Sequence, residues 1–198
     1  MNVLVVLGHP SKDSYCAAIC ERIVGDLKSH HNVTTIRLAD EGFVTAMSSD
    51  ERRAYETNTP LVSDETRRHA DFLRRADALV FVYPTWWSGL PAQLKGWIER
   101  VFVMDVALRF NARGQVRPNL QHVRHIIGVS TYGSPWLYVK LVNDNGRRII
   151  TRAVRLVTGW RTRTMWCGLY ALDTSTSHER QQFIDHTAKR IAKRLDGE

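Results

Sequence analysis

The length, composition and charge of the chain limit what kind of protein it can be. Its 198 residues, 43% of them hydrophobic, suit one compact domain with a full core, and no apolar run reaches the roughly eighteen residues that span a bilayer. The net charge of +8 would suit a polyanionic partner, but no nucleic-acid-binding motif accompanies it, so we expect a soluble cytoplasmic protein without a nucleic-acid partner or membrane insertion.

The first half of the chain alternates strand and helix patterns. An apolar run at residues 3–7, with no basic leader or cleavage site before it, predicts a strand, and residues 14–29 predict a helix with an apolar stripe. Residues 33–38 alternate polar and apolar side chains, which predicts a strand at a sheet edge. Residues 48–51 suit the cap of a short helix, and residues 63–65 begin a longer one with a capping serine and an acidic first turn.

The second half continues the same alternation. The predicted elements are, in order, a strand at 78–83, a helix opened by Pro91, a strand at 125–131, a helix from about 146 to 158 that stops at Gly159, a weaker strand at 164–169, and a helix after Thr176. Thr176 and Glu179 form a capping box for the last helix.

Strands that alternate with helices in this way predict an α/β fold. Right-handed crossovers then build a parallel sheet with helices on both faces. Five strands indicate the three-layer flavodoxin-like fold, with strand order 2-1-3-4-5 and residues 1–198 as a single domain. Ligands of such sheets bind outside the carboxyl ends of the strands, so the loops after strands one, three and four are expected to build the site.

The loop after strand one runs from Gly8 into the first helix and suits a phosphate group. The first amides of a helix are unpaired and lie at the positive end of its dipole. The natural phosphate donors are His9, Ser14 and the amides of Tyr15 and Cys16. Neither the dinucleotide fingerprint nor the Walker loop matches this spacing. The simpler alternative is that Ser14 only caps the helix.

The loop after strand three contains two adjacent tryptophans, Trp86 and Trp87, between Pro84 and Gly89. A loop that only turns the chain does not need two such side chains, so we expect something flat to pack against them. The amides near Thr85 can point at the edge of a heteroaromatic ring, as a flavin requires. The alternative is that the tryptophans are core or interface anchors.

The loop after strand four is rich in small, hydroxyl and aromatic residues. We expect the segment formed by Ser130, Thr131, Tyr132 and Gly133 to approach the pyrimidine side of such a ring. Tyr138 can donate a hydrogen bond to charge that develops there or to a substrate carbonyl, and it is the candidate catalytic residue. It fits equally well as a surface aromatic of a helix.

The three cysteines do not indicate a special site. Cys16, Cys20 and Cys167 form no Cys-x-x-Cys pair and have no histidines at zinc spacing, so we predict neither disulfides nor a metal site. We interpret them as small apolar core residues.

The predicted helix at 146–158 has a basic face. Its arginines are Arg147, Arg148, Arg152 and Arg155. A solvated surface, a nucleic-acid contact and attraction of a phosphorylated dinucleotide are the three interpretations of that face.

One long motif resembles a known family. The stretch YPTWWSGLPAQLKGWIERV, residues 83–101, closely resembles the hallmark of flavodoxin-like NAD(P)H:quinone oxidoreductases, the group that includes DT-diaphorase and bacterial quinone and drug reductases. The similarity extends to Gly8-His9-Pro10, to residues 41–52 and to residues 130–133, and it is weakest in the C-terminal third.

The resemblance implies an enzyme that binds a flavin phosphate on the first loop and acts as a homodimer with two sites at the subunit interface. NAD(P)H would reduce the flavin, and a quinone or similar acceptor, such as an azo or nitro compound, would then take its place in a ping-pong exchange of hydrides. We expect FMN as the cofactor, with FAD as the alternative, because residues 40–62 carry no strong adenine-binding signal.

The sequence departs from the family in one place, and two other functions compete. The mammalian enzymes follow the equivalent of Tyr138 with a histidine, whereas this chain has none there, so Tyr138 acts alone or with Lys140. A regulatory subunit that docks on a membrane transporter through the basic helix is the alternative function. An electron-transfer flavodoxin is disfavoured, because such proteins are usually acidic and lack the paired tryptophans.

Overall fold

The computed structural model describes residues 1–57, 59–61 and 63–197. Its strands are β1 (Asn2–Leu7), β2 (Asn32–Arg37), β3 (Ala78–Pro84), β4 (Leu108–Phe110), β5 (Val116–Pro118), β6 (His125–Thr131) and β7 (Arg163–Leu169). Within the described ranges, no helix combines the length and the apolar character needed to cross a membrane.

The helices lie between these strands and after them. They are α1 (Tyr15–Leu27), α2 (Ser49–Ala54), α3 (Asp64–Arg75), α4 (Ala92–Val101), α5 (Trp136–Leu141), α6 (Asn145–Arg148), α7 (Val154–Thr158) and α8 (Ser177–Asp196). A π-helical turn, Ile149–Ala153, joins α6 to α7, and a 3₁₀ turn, Leu172–Thr174, precedes α8. Ser48 and Thr176 each close a capping box. The box at Thr176 was predicted, and at residues 48–51 the prediction was a helix cap.

A five-stranded parallel sheet has the order β2-β1-β3-β6-β7. Counted over the strands of this sheet alone, that is the predicted flavodoxin-like arrangement. The numbers differ because the hairpin β4–β5 intervenes between the third and fourth strands of the sheet. The alternating second strand lies at the edge, as expected.

Two hydrophobic layers cover the faces of the sheet. Alternate residues of β1, β3 and β6 pack against α1 and α8 on one face, where Ile19 and Ile191 are fully buried. The other residues of the same strands pack against α3, α4 and the helical stretch from 145 to 158. Because β3 and β6 are covered on both faces, every residue of these two strands is buried, which explains why their sequences are mostly apolar.

Three elements differ from the sequence-based prediction. The hairpin β4–β5 and the short helix α5 were not predicted, because their runs of three and six residues are too short for a periodic pattern. The helix predicted from about 146 to 158 exists, but its middle turn is π-helical, which a 3.6-residue period does not reveal.

The segment between β2 and α2 is held against α4 by a buried ion pair. The Arg100 guanidinium donates from Nε to Glu51 Oε1 over 2.8 Å and also bonds the carbonyl of Val44. Both side chains are less than a tenth exposed. Burial opposes ionisation of Glu51, but hydrogen bonds from Arg100 and from the Ser48 amide outweigh it and lower the pKa of this carboxyl group.

Replacing this carboxylate is expected to destabilise the fold in a pH-dependent way. We expect Glu51→Gln to lower the free energy of unfolding by about 2 kcal/mol at pH 7, because the buried guanidinium of Arg100 loses the closer of its two carboxylate partners and keeps only Glu65, at 3.8 Å. A carboxyl whose folded pKa is lowered stabilises the fold above its unfolded pKa of about 4.3, and this stability disappears as the pH falls through the folded pKa.

Urea denaturation of the unaltered chain and of Glu51→Gln, each at pH 7 and at pH 3, measures this effect. The difference in free energy of unfolding between the two proteins should be smaller at pH 3. An equal difference at the two values would mean that the charge of Glu51 does not stabilise the segment.

Candidate functional site

A cavity of about 800 Å³ lies at the carboxyl ends of β1, β3 and β6. It is where a parallel sheet of this order is expected to bind ligands. Ten of the residues predicted for a cofactor line it, namely His9, Ser14, Tyr15, Cys16, Pro84, Thr85, Trp86, Trp87, Thr131 and Gly133. The folded chain therefore brings all three predicted loops to one site.

The first loop ends at the N-terminus of α1 and carries unpaired donors. Ser14 is the N-cap, and its Oγ accepts from the Ala17 amide over 3.1 Å. The hydroxyl proton of Ser14 stays available. The amides of Tyr15 and Cys16 have no acceptor among the described residues, because they are the first two of the helix. This end of the cavity can bind an anion.

His9 adds a neutral donor to the same loop. Its Nδ1 accepts from the Ser11 amide over 3.0 Å, so the proton of the neutral ring is on Nε2. Burial lowers the pKa of His9. The ring also contacts Trp86 edge-on, with centroids 5.6 Å apart. His9 thus connects the anion-binding end of the cavity to the aromatic end.

The phenol of Tyr15 and the thiol of Cys16 fix α1 in place. Tyr15 Oη donates to the carbonyl of Arg180 in α8 over 2.7 Å, and burial raises its pKa to about 12. Cys16 Sγ lies 3.6 Å from Thr131 Oγ1, and burial raises its pKa to about 11. With Cys20 and Cys167 also buried and free, the prediction of core cysteines is confirmed.

The paired tryptophans lie on a strained turn. The Gly89 amide donates to the Trp86 carbonyl over 3.0 Å, and Trp87 and Ser88 both have positive φ, 48° and 57°. This is the geometry of a type I′ turn, which normally uses glycine or asparagine. Trp86 is half exposed at the cavity and Trp87 fully exposed. The strain holds two large aromatic side chains at the rim, as is common at functional sites.

The third wall of the cavity combines the ends of β3 and β6. The Thr85 amide donates to the Thr131 carbonyl over 2.8 Å, and Thr85 Oγ1 lies 2.7 Å from Ser130 Oγ. Ser130 is fully buried, so it supports the wall from behind and does not line it. Gly133 faces the carboxylate of Asp173, and a Cβ at this position would lie 2.7 Å from Asp173 Oδ2.

Tyr132 also lies behind the cavity, although it was predicted to face the ligand. Its hydroxyl donates to Asp144 Oδ1 over 2.9 Å, and its ring stacks on Tyr170 at 4.6 Å. Burial, followed by the negative charge of Asp144, raises the pKa of Tyr132 far above its ordinary value. The side chain stabilises the loop that carries Thr131 and Gly133.

Tyr138 is placed on α5, outside the cavity. It is 58% exposed and does not belong to the lining. Neighbouring apolar side chains of α5 are exposed too, including Leu137 and Leu141. In a single copy of the chain, Tyr138 therefore faces solvent beside the site.

Four lining residues were not predicted. They are Ser11, Ser134, Leu172 and Asp173. The last two come from the turn after β7, which hydrogen bonds hold against the third loop: the Leu172 amide donates to the Tyr132 carbonyl over 2.9 Å. A serine, leucine or aspartate in a loop gives no sequence signal for a ligand. The topology does give one, because the loop after the fifth strand of the sheet begins at the same edge as the other three loops.

The site has the chemistry of an organic cofactor with an anionic end. In the described part of the chain, no group of three or more potential metal ligands was found. The cavity instead offers unpaired amides, hydroxyls and aromatic rings, with one carboxylate from Asp173 among its lining residues.

Comparison with known proteins agrees with this geometry. Among curated proteins, an uncharacterized NAD(P)H oxidoreductase of Haemophilus influenzae is 34% identical to this chain over 103 residues. The matched residues make up 51% of this chain and 50% of that protein. NAD(P)H dehydrogenase [quinone] 1 of Cavia porcellus is 27% identical over 153 residues, 69% of this chain and 55% of that protein. The chain thus spans about half the length of these two relatives.

Two further matches cover more of their counterparts. An FMN-dependent NADH:quinone oxidoreductase of Bordetella petrii is 28% identical over 144 residues, 67% of this chain and 68% of that protein. The crystal structure of Smu.1420 from Streptococcus mutans superposes with a TM-score of 0.84 at 27% identity, covering 98% of this chain and all of that one. Residues 1–195 match the family model described as flavodoxin-like fold. Sheet order, site position and this nearly full-length match agree, and the chain belongs to the flavodoxin-like fold family.

Proposed function

We propose that this chain is a flavin-dependent NAD(P)H oxidoreductase that reduces quinones or similar acceptors by two electrons, with residues 1–198 acting as one flavin-binding domain. The observation that carries the proposal is the cavity in which unpaired helix amides and paired tryptophans face the same space. The names of the Cavia porcellus and Bordetella petrii relatives, both quinone oxidoreductases, support the choice of acceptor.

The anionic end of the cavity fits a flavin phosphate. The amides of Tyr15 and Cys16, the Ser14 hydroxyl and the Nε2–H of His9 are donors without an acceptor in the described structure. A phosphate at the N-terminus of α1 would satisfy them and would interact favourably with the helix dipole.

The aromatic end fits the ring system. The amides of Trp87 and Ser88 make no hydrogen bond to a described residue, so both can donate to a heteroaromatic edge. Asp173 places a carboxylate acceptor at the opposite wall, which suits the N–H of the pyrimidine ring. Trp86 closes the side of the cavity towards His9 and limits its contact with water. When bound, the flavin would supply the redox chemistry by passing a hydride from NAD(P)H to the acceptor in a ping-pong exchange.

We assign FMN as the flavin rather than FAD. The donors at the N-terminus of α1 account for one phosphate group, and the Bordetella petrii relative is named as FMN-dependent. Purified protein is saturated with FMN and, separately, with FAD, and each sample is desalted. We expect the protein to retain more FMN than FAD, because the tighter complex loses less of its flavin.

The active form is proposed to be a homodimer. Exposed aromatic and aliphatic side chains flank the cavity, namely Trp87, Trp136, Leu137, Tyr138 and Leu141. Four of them lie on the short helix α5, and exposed apolar side chains grouped in this way are typical of an interaction surface. A second copy of the chain would cover it and enclose the cavity. Sedimentation equilibrium should give twice the monomer mass of 22.7 kDa, and a monomer at micromolar concentration would contradict this assignment.

Tyr138 is proposed to donate a hydrogen bond to charge that develops during reduction. We expect Tyr138→Phe to lower kcat for quinone reduction about tenfold, the size of one lost charge-assisted hydrogen bond, without changing flavin retention. Leu137→Ala on the same helix is the matched control. If both variants lose the same activity, the effect belongs to the surface of α5 and not to the hydroxyl.

Reconstitution tests the whole proposal. Protein incubated with excess FMN, and separately with excess FAD, is desalted and its absorbance recorded before and after NADPH or NADH is added without oxygen. The proposed enzyme retains a yellow flavin that either nucleotide bleaches and that a quinone restores. Protein that keeps neither flavin, or whose flavin is not bleached, would refute the function.

A further inference from the structure

A second cavity, of about 390 Å³, lies between the helical stretch 145–158 and the edge strand β7. We call it the basic cavity. Its cationic lining consists of Lys140, Arg147, Arg148, Arg152 and Arg155, and Trp166 forms part of its floor. It shares no lining residue with the cavity of about 800 Å³ to which the proposed function assigns the flavin, called the flavin cavity below. Ligand binding in the basic cavity is therefore independent of the proposed function.

The cations of the basic cavity lack carboxylate partners. No described carboxylate lies within 4 Å of any of their charged nitrogens, whereas Arg22, Arg37 and Arg100 each make two such ion pairs elsewhere in the fold. Asp144 also belongs to the wall, but it is buried and its Oδ1 accepts from Tyr132. Five positive groups therefore face one cavity with little internal compensation.

Two of the arginines are held in position. The Arg147 guanidinium lies over the ring of Trp166, 5.8 Å from its centroid, and Arg155 donates from Nη2 to the Trp160 carbonyl over 3.0 Å. Each keeps other N–H groups free, because a guanidinium has five donors. Such fixed cations lose less side-chain entropy when they bind an anion.

The π-helical turn at Ile149–Ala153 contributes to this arrangement. In an α-helix, residues five apart lie about 140° from each other around the axis. The wider π turn reduces this angle, so that Arg147 and Arg152 approach one face. π turns are rare in proteins, and many of those that occur lie at functional sites.

We propose that the basic cavity binds a phosphate monoester or free phosphate dianion. Several arginines around one small space match the shape and charge of a phosphate group, to which guanidinium groups donate in pairs. A recess between a helix and a strand suits a compact anion better than an extended polymer, which would need cations in a row along the surface. The ligand is either inorganic phosphate or the phosphate of a nucleotide.

Calorimetric titration of FMN-saturated protein with inorganic phosphate, and separately with adenosine 2′-monophosphate, tests the proposal. We expect binding of at least one probe, weakened about tenfold or more in Arg148→Gln/Arg152→Gln, since charge-assisted hydrogen bonds are lost. Both side chains are exposed, so the fold should be retained. Tighter binding of the nucleotide identifies a phosphate ester as ligand; equal binding identifies free phosphate.

The matched control is Arg109→Gln/Arg113→Gln, which removes the same charge from the exposed hairpin region and should bind the probes unchanged. Equal weakening in the control, or undiminished binding in the first variant, would overturn the proposal. So would binding seen without FMN but abolished by it, because the anion would then occupy the flavin cavity. Binding of duplex DNA but of neither probe would assign the surface to nucleic acid instead. These outcomes can be read even if the protein binds no flavin.

Discussion

A chain that carries both Trp86→Ala and Gly133→Val is expected to bind FMN about thirtyfold more weakly than the unaltered chain. The first change removes the ring that closes the cavity beside His9. The second introduces a Cβ that would lie 2.7 Å from Asp173 Oδ2, so the exposed Asp173 side chain must rotate and no longer offers its carboxylate at the same place. An aromatic contact of about 1 kcal/mol and a lost hydrogen bond of about 1 kcal/mol together give this factor.

Fluorescence titration of FMN measures this loss directly. Trp160→Ala is the matched control, because Trp160 is 86% exposed and does not line the flavin cavity. The control should bind FMN as the unaltered chain does. If the double variant also keeps its affinity, the ring does not lie between Trp86 and Gly133.

Gly96→Ala is expected to lower the free energy of unfolding by about 3 kcal/mol and the Tm by roughly 10 °C. Gly96 lies in α4 where the segment between β2 and α2 crosses it, and a Cβ there would lie 2.1 Å from the Thr45 carbonyl oxygen. The obstacle is backbone, so no side-chain rotation removes it. The segment must move away from α4, which disturbs the burial of Phe43 and the bond from Arg100 to the Val44 carbonyl.

A second helical glycine provides the comparison. Gly25 lies in α1, and a Cβ there would meet nothing within 4 Å. Gly25→Ala should raise the free energy of unfolding by about 0.5–1 kcal/mol, because alanine favours a helix. Thermal and urea unfolding of both variants give the two values. Destabilisation by Gly25→Ala of the same size would show that the crossing at Thr45 is not the cause.

Much of the fold could be predicted because its signals are local. The mostly apolar runs at residues 3–7, 78–83 and 125–131 arise from strands covered on both faces, and their alternation with helices restricts the topology. The hairpin β4–β5 and the π turn carry no such signal. The hairpin depends on pairing between two three-residue strands, and the π turn packs against β6. Neither interaction produces a periodic pattern in the sequence.

The candidate site was predictable to the extent that it lies in loops at strand ends. The position of a loop follows from the topology, so His9, Thr85 and Gly133 could be assigned to one site. The direction of each side chain does not follow. Tyr132 faces away from the cavity because Asp144 accepts its hydrogen bond, and Asp173 faces it because the turn after β7 bonds to the third loop.

The π turn has an evolutionary consequence for the basic cavity. Such a turn corresponds to one residue inserted into an α-helix, and removal of one codon within Ile149–Ala153 would restore regular helix. Arg147 and Arg152 would then be four residues apart, about 40° from each other around the axis, and would stay on one face. One residue inserted into regular helix would instead rotate the residues on either side of it by about 100° relative to each other. The π turn is therefore where this helix can change its length by a single codon while the arginines keep their common face.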